Sequence, residues 1–228
     1  FIGVDAPDFN LGVEKRLKRF GIKTLHYVSP SIWAWRGGRV HKIGRAADRV
    51  MCLFPFEPAI YERNGIRASY VGHPLADVFP DRINPVSYTH LAGEVARLAE
   101  SLTGMIKLLA EKRPDALFLV PLVTRETRDF FEQALNEGEA THLPIRLLFG
   151  HSHEAMSAAD VVVVASGTAS LEAALLKRPM LITYKLGKMN YRFAKRLVYL
   201  PWVGLPNILA GESLVPELIQ DEATPEAM

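Results

Sequence analysis

Short, wholly apolar runs alternate with longer amphipathic stretches along this chain. Residues 1–4, 23–28, 49–53, 69–71, 116–120, 145–149, 161–164 and 180–184 read as strands. Between them, residues 11–20, 36–45, 58–63, 94–112, 126–135, 169–177 and 188–198 carry helical spacing. Residues 213–219 read as a last helix, and Leu205-Pro206-Asn207 as a loop. Several of the strands are apolar throughout rather than alternating, the pattern of strands covered on both faces. Strand and helix in strict alternation predict an α/β protein with Rossmann-like parallel sheets.

The clearest unit is VVVVASGTASLEAALLKRPMLITY, residues 161–184. Four valines form a buried strand and Ser166-Gly167-Thr168 turns the chain. A helix with Leu171, Leu175 and Leu176 on one side follows, Arg178-Pro179 stops it, and a second strand begins. A small glycine-containing turn at a helix start gathers backbone N–H groups where a phosphate can sit. Glu172, about one turn inside, is placed to accept hydrogen bonds from a sugar. An ordinary strand-to-helix turn gives the same pattern, and at this point both readings stand.

In an open parallel sheet the working residues lie just beyond the carboxyl ends of strands. Asp5 is the first residue past residues 1–4 and is a candidate general base, whereas Asp8 is expected to cap the next helix. Trp33, Trp35 and Arg36 follow the second strand beside Pro30, and His73 follows the fourth. His73 suits a structural role as well as a catalytic one. Proline, aspartate and asparagine cluster over residues 78–91 and periodicity is lost, which reads as a linker. The expected domains are therefore 1–77, a linker or splice region at 78–92, and 93–228.

Composition changes this picture little. The 228 residues are 49% hydrophobic and 23% charged, with a formal net charge of +2. That is a globular balance and gives no global argument for nucleic acid. Aromatic and basic residues are not interleaved on a recognised nucleic-acid platform. The single cysteine, Cys52, excludes an intramolecular disulfide and is expected to be a buried filler. His151-Ser152-His153-Glu154 lacks a third ligand at convincing spacing, so no metal site is expected. Two basic stretches, residues 36–45 and 188–196, suit an anionic surface or a phosphate as well as a solvated helix face. On the second, Lys188, Arg192 and Lys195 share one face and Tyr191, Ala194 and Val198 the other. Asn207 both donates and accepts, which suits a uracil or ribose edge.

Six motifs in order, FIGVDAPDFN, HYVSPSIWAWR, LFPFE, VGHPLAD, ASGTASLE and LPNILAG, closely resemble the lipid-A-disaccharide synthase family. Each is weak alone, and the six in sequence are specific. The resemblance implies a GT-B-like fold, with two Rossmann-like parallel-sheet domains facing a cleft, both incomplete here. It implies an inverting glycosyltransferase that joins UDP-diacylglucosamine to diacylglucosamine 1-phosphate (lipid X) without a cofactor. The protein would be peripheral, on the cytoplasmic face of the bacterial inner membrane. By the same resemblance Asp5 is the base. Ser166, Gly167, Thr168, Glu172 and Asn207 bind the UDP-sugar, and Trp35, Arg36, His73 and Arg192 are possible acceptor or phosphate contacts. Family members carry further strands before this stretch and helices after it. The chain is therefore expected to be a piece of a longer protein and inactive alone. Residues 84–91 replace part of a family loop of the type P-G-S-R-x-x-E-V, and its phosphate-side arginine has no counterpart. Other UDP-sugar enzymes of the same architecture (an epimerase or a soluble transferase) and a non-catalytic nucleotide- or membrane-binding fragment are the competing readings.

Overall fold

The structure is a computed structural model that describes residues 1–35, 37–78 and 91–228. It divides into two compact units. The first comprises residues 1–77 and 192–201, the second residues 78–191 and 202–228. The stretch 192–201 thus groups with the first unit, although it follows most of the second in sequence.

In the first unit β1 (Ile2–Val4), α1 (Pro7–Arg19), β2 (Leu25–Tyr27), α2 (Val40–Ala46), β3 (Arg49–Cys52), α3 (Glu57–Glu62), β4 (Ala68–Tyr70) and α4 (Leu75–Val78) follow one another. The strands pair in parallel in the order β1-β2-β3-β4. Parallel neighbours cannot be joined by a tight turn, so each connection crosses over, and each does so through a helix. The core lies under these helices: Leu11, Val40, Ile43, Val50, Cys52 and Tyr61 are buried together. Burial pushes the Cys52 thiol up to about 12, so it is an inert filler.

Helix α1 begins at Pro7, four residues before the expected start at 11, because proline's fixed φ suits the first turn. Asp8 does not cap it. The N-cap position is Ala6, and the Asp8 carboxylate instead pairs with the Arg39 guanidinium.

One polar pair lies inside this unit. Glu14 of α1 and His26 of β2 are both fully buried, with Oε1 and Nδ1 2.8 Å apart. Gly3 of β1 is the neighbour of His26 across the sheet. A Cβ on Gly3 would fall on Glu14 Oε1, well inside contact distance, so the carboxylate occupies space that a side chain would need.

The second unit holds α5 (Leu91–Lys112), β5 (Phe118–Leu122), α6 (Arg125–Glu137), β6 (Ile145–Phe149), α7 (Ser152–Ala158), β7 (Val162–Ala165), α8 (Thr168–Leu175) and β8 (Met180–Tyr184). Helix α9 (Lys188–Leu197) leads out of it, and α10 (Leu205–Ala210) and β9 (Glu217–Ile219) follow on the chain's return. β5 and β6 pair in parallel, as do β7, β8 and β9 in that order. Thr124 and Thr127 form a reciprocal capping box at the start of α6. Two expectations fail here. Residues 205–210 are helical rather than a loop, with Pro206 in the first turn. The last predicted helix contains β9 instead, because Glu217, Leu218 and Ile219 complete a ladder on β8 that local propensity does not reveal.

Gly3→Val is expected to destabilise the protein by about 1–3 kcal/mol through overpacking against Glu14. Urea denaturation of the two proteins side by side measures this.

Candidate functional site

Because the strands of the first unit are parallel, their carboxyl ends lie along one edge, and the candidate residues collect there. Asp5 is exposed directly beyond β1. Asp5 and Ala6 both adopt left-handed backbone, with φ of 47° and 41°. Two such residues in succession, neither a glycine, cost on the order of 1–3 kcal/mol each. Their surroundings hold them. The Asp5 N–H donates to Tyr27 O at 2.8 Å. The Asn10 side-chain amide donates to Val4 O at 3.0 Å and to Asp5 O at 2.8 Å. This tether fixes the backbone of the turn, and among the described residues the exposed Asp5 carboxylate makes no ion pair. Asn10 lies in the first motif, but only the folded turn reveals its role.

Further along the same edge stands an aromatic cluster. Trp33 meets Phe56 edge-on at 5.4 Å and Phe54 at 6.2 Å, while Phe54 and Phe56 stack at 5.8 Å. His73 lies 5.7 Å from Phe54, and its Nδ1 accepts the Leu75 N–H at 3.2 Å. Burial depresses the His73 pKa, which favours the neutral ring with its proton on Nε2. Beneath the cluster is the Glu57 carboxylate, 1% exposed. It accepts the Trp33 Nε1–H at 3.1 Å and the Phe54 N–H at 2.9 Å. Burial raises its pKa, against those hydrogen bonds, which lower it. Ser29 Oγ and Tyr61 OH lie 2.9 Å apart close by. The sequence reading did not single out Glu57. Its signal, an acidic residue directly after a strand and an aromatic turn, resembles an ordinary first-turn helix acid. Of the two tryptophans, Trp33 builds the cluster and Trp35 is partly exposed. Arg36 lies outside the described residues.

In the second unit Gly167 opens α8 with φ 140° and ψ −156°, a conformation essentially reserved for glycine. The space where its Cβ would point is open. Ser166 Oγ donates to Val203 O at 2.7 Å, and Ser170 Oγ donates back to Gly167 O at 2.7 Å, so the turn is fixed from both sides. Thr168 is exposed at the helix start, and Glu172 is buried one turn further on.

Asn207 has a different job from the one expected of it. It is fully buried in α10. Its amide donates to Val215 O at 2.9 Å and to Glu217 Oε1 at 2.7 Å, and its oxygen accepts the Leu214 and Val215 N–H groups at 2.8 and 2.9 Å. All four of its hydrogen-bonding positions are used within the unit. Asn207 therefore clamps α10 to β9 and presents no free edge to a nucleotide.

An open cavity of about 480 Å³ lies at the carboxyl ends of β8 and β9. It is lined by Arg97, Lys185, Leu186, Gly187, Lys188, Gln220 and Asp221. Its cations come from separate stretches of chain, which is why sequence spacing did not group them. Arg192 is exposed on α9. The His151–Glu154 pair is an exposed contact of 3.4 Å, and among the described residues no three His, Cys, Asp or Glu side chains are grouped to hold a metal.

Parallel sheets with the candidate residues at their carboxyl ends, and a glycine turn opening a helix, define a Rossmann-like α/β protein, consistent with the GT-B architecture. The family model for lipid-A-disaccharide synthetase matches residues 1–228, and the chain belongs to that family. Curated relatives named lipid-A-disaccharide synthase agree. The one from Aromatoleum aromaticum is 60% identical over all of this chain, and the one from Azoarcus sp. is 57% identical over 99% of it. That of Methylobacillus flagellatus is 51% identical over all of the chain. The chain spans 63%, 62% and 65% of the length of these three relatives. The first match runs over 245 positions against 228 residues here, so that relative carries residues inside the matched stretch that this chain lacks.

The raised pKa of Glu57 predicts a pH dependence. A carboxyl whose folded pKa lies above its unfolded value favours folding most below the unfolded value, near 4.5, and loses that contribution as pH rises through the folded value. The stability of the protein relative to Glu57→Gln is therefore expected to fall as pH rises from about 4 to 8. Thermal melts of both proteins across that range test the sign.

Proposed function

We propose that the full-length protein is an inverting glycosyltransferase. It joins UDP-2,3-diacylglucosamine to 2,3-diacylglucosamine 1-phosphate and releases lipid A disaccharide 1-phosphate and UDP. The observation that carries this reading is the family match along the whole chain. The exposed Asp5 on its tethered turn supports it. An acceptor hydroxyl is a poor nucleophile, and a carboxylate placed beside it removes its proton as it attacks the anomeric carbon. Attack opposite the leaving UDP inverts that carbon. The negative charge growing on UDP would be met by the glycine turn at Gly167 and by the positive end of α8. The cations around the cavity at Lys185 supply further positive charge in the same unit. Ser166 and Thr168 belong to this donor site as flanks of the turn, with Glu172 behind them. Asn207 supports it only from inside the fold. Trp35, Arg36, His73 and Arg192 are assigned to the acceptor or its phosphate.

We also place the full-length protein peripherally at the cytoplasmic face of the inner membrane of a Gram-negative bacterium, since both substrates are lipids. Among the described residues no helix is long and apolar enough to cross a membrane, so attachment through them would be to the surface.

Two measurements test the site. In the full-length protein Asp5→Asn should lose ~10²–10⁴-fold in kcat while UDP affinity stays. Normal turnover in that variant, with loss in Asp8→Asn, would move the base to Asp8. Gly167→Val should weaken UDP binding by blocking close backbone approach. Calorimetric titration alongside a melting curve separates this from unfolding, and unchanged affinity in a folded variant would remove the turn from the donor site.

A further inference from the structure

Helix α9 exposes an apolar stripe in addition to its packed side. Successive residues turn by about 100°, so Tyr191, Ala194 and Val198 share one side of it. Tyr191 and Ala194 are partly buried, as expected of the packed side. Met189, Phe193 and Leu197 are spaced i, i+4, i+8 and form a second apolar stripe. That stripe faces outward: Met189 is 72% exposed, Phe193 59% and Leu197 46%. Lys188, Arg192, Lys195 and Arg196, all exposed, fill the side next to it. From Lys185 to Gly204 the chain has five Lys or Arg residues and no Asp or Glu.

The other basic helix makes the contrast. In α2, Val40, Ile43 and Ala46 are buried, and its exposed residues include His41 and Lys42. No large hydrophobic residue of α2 is exposed. It has one apolar side and one solvated side, which packing alone accounts for. Helix α9 differs, because its outward side is apolar as well. A methionine, a phenylalanine and a leucine in line, bordered by cations with no acid among them, match a helix that lies in a membrane interface. There the apolar stripe enters the acyl boundary while the Lys and Arg heads stay at the level of anionic headgroups.

We propose that α9 docks the protein onto an anionic bilayer through Met189, Phe193 and Leu197, with Lys195 and Arg196 holding lipid phosphates. The occupant is the bilayer surface, chosen because its two chemistries, apolar below and anionic above, are those of the two adjoining stripes. This inference rests on the membrane-surface reading above and assigns it to one element.

The test uses the full-length protein and sedimentation with vesicles of phosphatidylcholine, alone or with about a third phosphatidylglycerol. Changing Met189, Phe193 and Leu197 together to serine should abolish binding at low and high salt. Lys195→Gln with Arg196→Gln should weaken binding to anionic vesicles by about 5-fold per cation, an effect that fades as salt rises. Phe193→Trp gives a readout independent of stability. The emission of the introduced indole should shift to the blue on vesicles and be quenched by lipids brominated at shallow acyl positions. A folded triple-serine variant that binds as well as its parent would overturn the assignment of α9. So would a Phe193→Trp variant that binds vesicles while the emission of its introduced indole stays unchanged. A blue shift given equally by a short-chain lipid below its micelle concentration would overturn it too, by marking a site for single acyl chains. Turnover of short-chain, water-soluble substrates is read in parallel. Its survival in the serine variant keeps the glycosyltransferase reading apart from the docking one, and its absence in the parent protein would sink the former alone.

Discussion

Parallel pairing is the constraint on which the rest of this structure depends. A strand whose neighbour runs the same way must be followed by a crossover, which sends the chain back over the sheet. Every strand then delivers its carboxyl end to the same edge. Asp5, Ser29, Phe54 and His73 follow four different strands, yet they emerge along one side of one sheet. The turn at Gly167 and the loop at Lys185 emerge together in the same way from β7 and β8. Chemistry gathers there because backbone N–H groups and loop side chains are not consumed by the ladder.

The two candidate centres are held by different means. At Asp5 the backbone is strained, and Asn10 offsets the strain with two hydrogen bonds from the adjoining helix. At Gly167 the residue itself removes the strain, since glycine reaches φ 140° at little steric cost. Behind each lies buried polar support: Glu14 with His26 under β1 and β2, and Asn207 with Glu217 under β8 and β9. Losing a partner from such a pair leaves an unpaired buried group, which costs about 1–3 kcal/mol or more. These residues make the sites stiff without touching what the sites would hold.

Much of this was legible in the sequence because period and burial leave a direct imprint. Consecutive valines suit a covered strand, and β7 takes three of the four, with Val162 and Val164 buried and Val161 left outside it and exposed. The strands at residues 145–149 and 180–184 appear where the apolar runs put them. The positions of Asp5 and Gly167 at turns beyond strands were legible for the same reason, each being a polar or small residue just past such a run. Residues 217–219 were not, because a short edge strand acquires its identity from the neighbour it pairs with. Asn207 was misread because an amide's partners, here Val215 and Glu217, are a matter of tertiary contact. Asp8 was misread as a cap because Arg39, its partner, lies across a crossover.

The sequence by itself thus determined the alternation of strand and helix, the parallel class, the family and the positions where chains turn at a sheet edge. All of these follow from local periodicity, local sterics and the order of short motifs. The tertiary structure decided which side chains are spent inside the fold and which remain outside. Glu57 and Asn207 went in, Asp5 and the stripe of Met189, Phe193 and Leu197 stayed out. Burial and hydrogen-bond pairing depend on residues far apart in the chain, and a polar side chain carries no local mark of whether a distant partner will claim it.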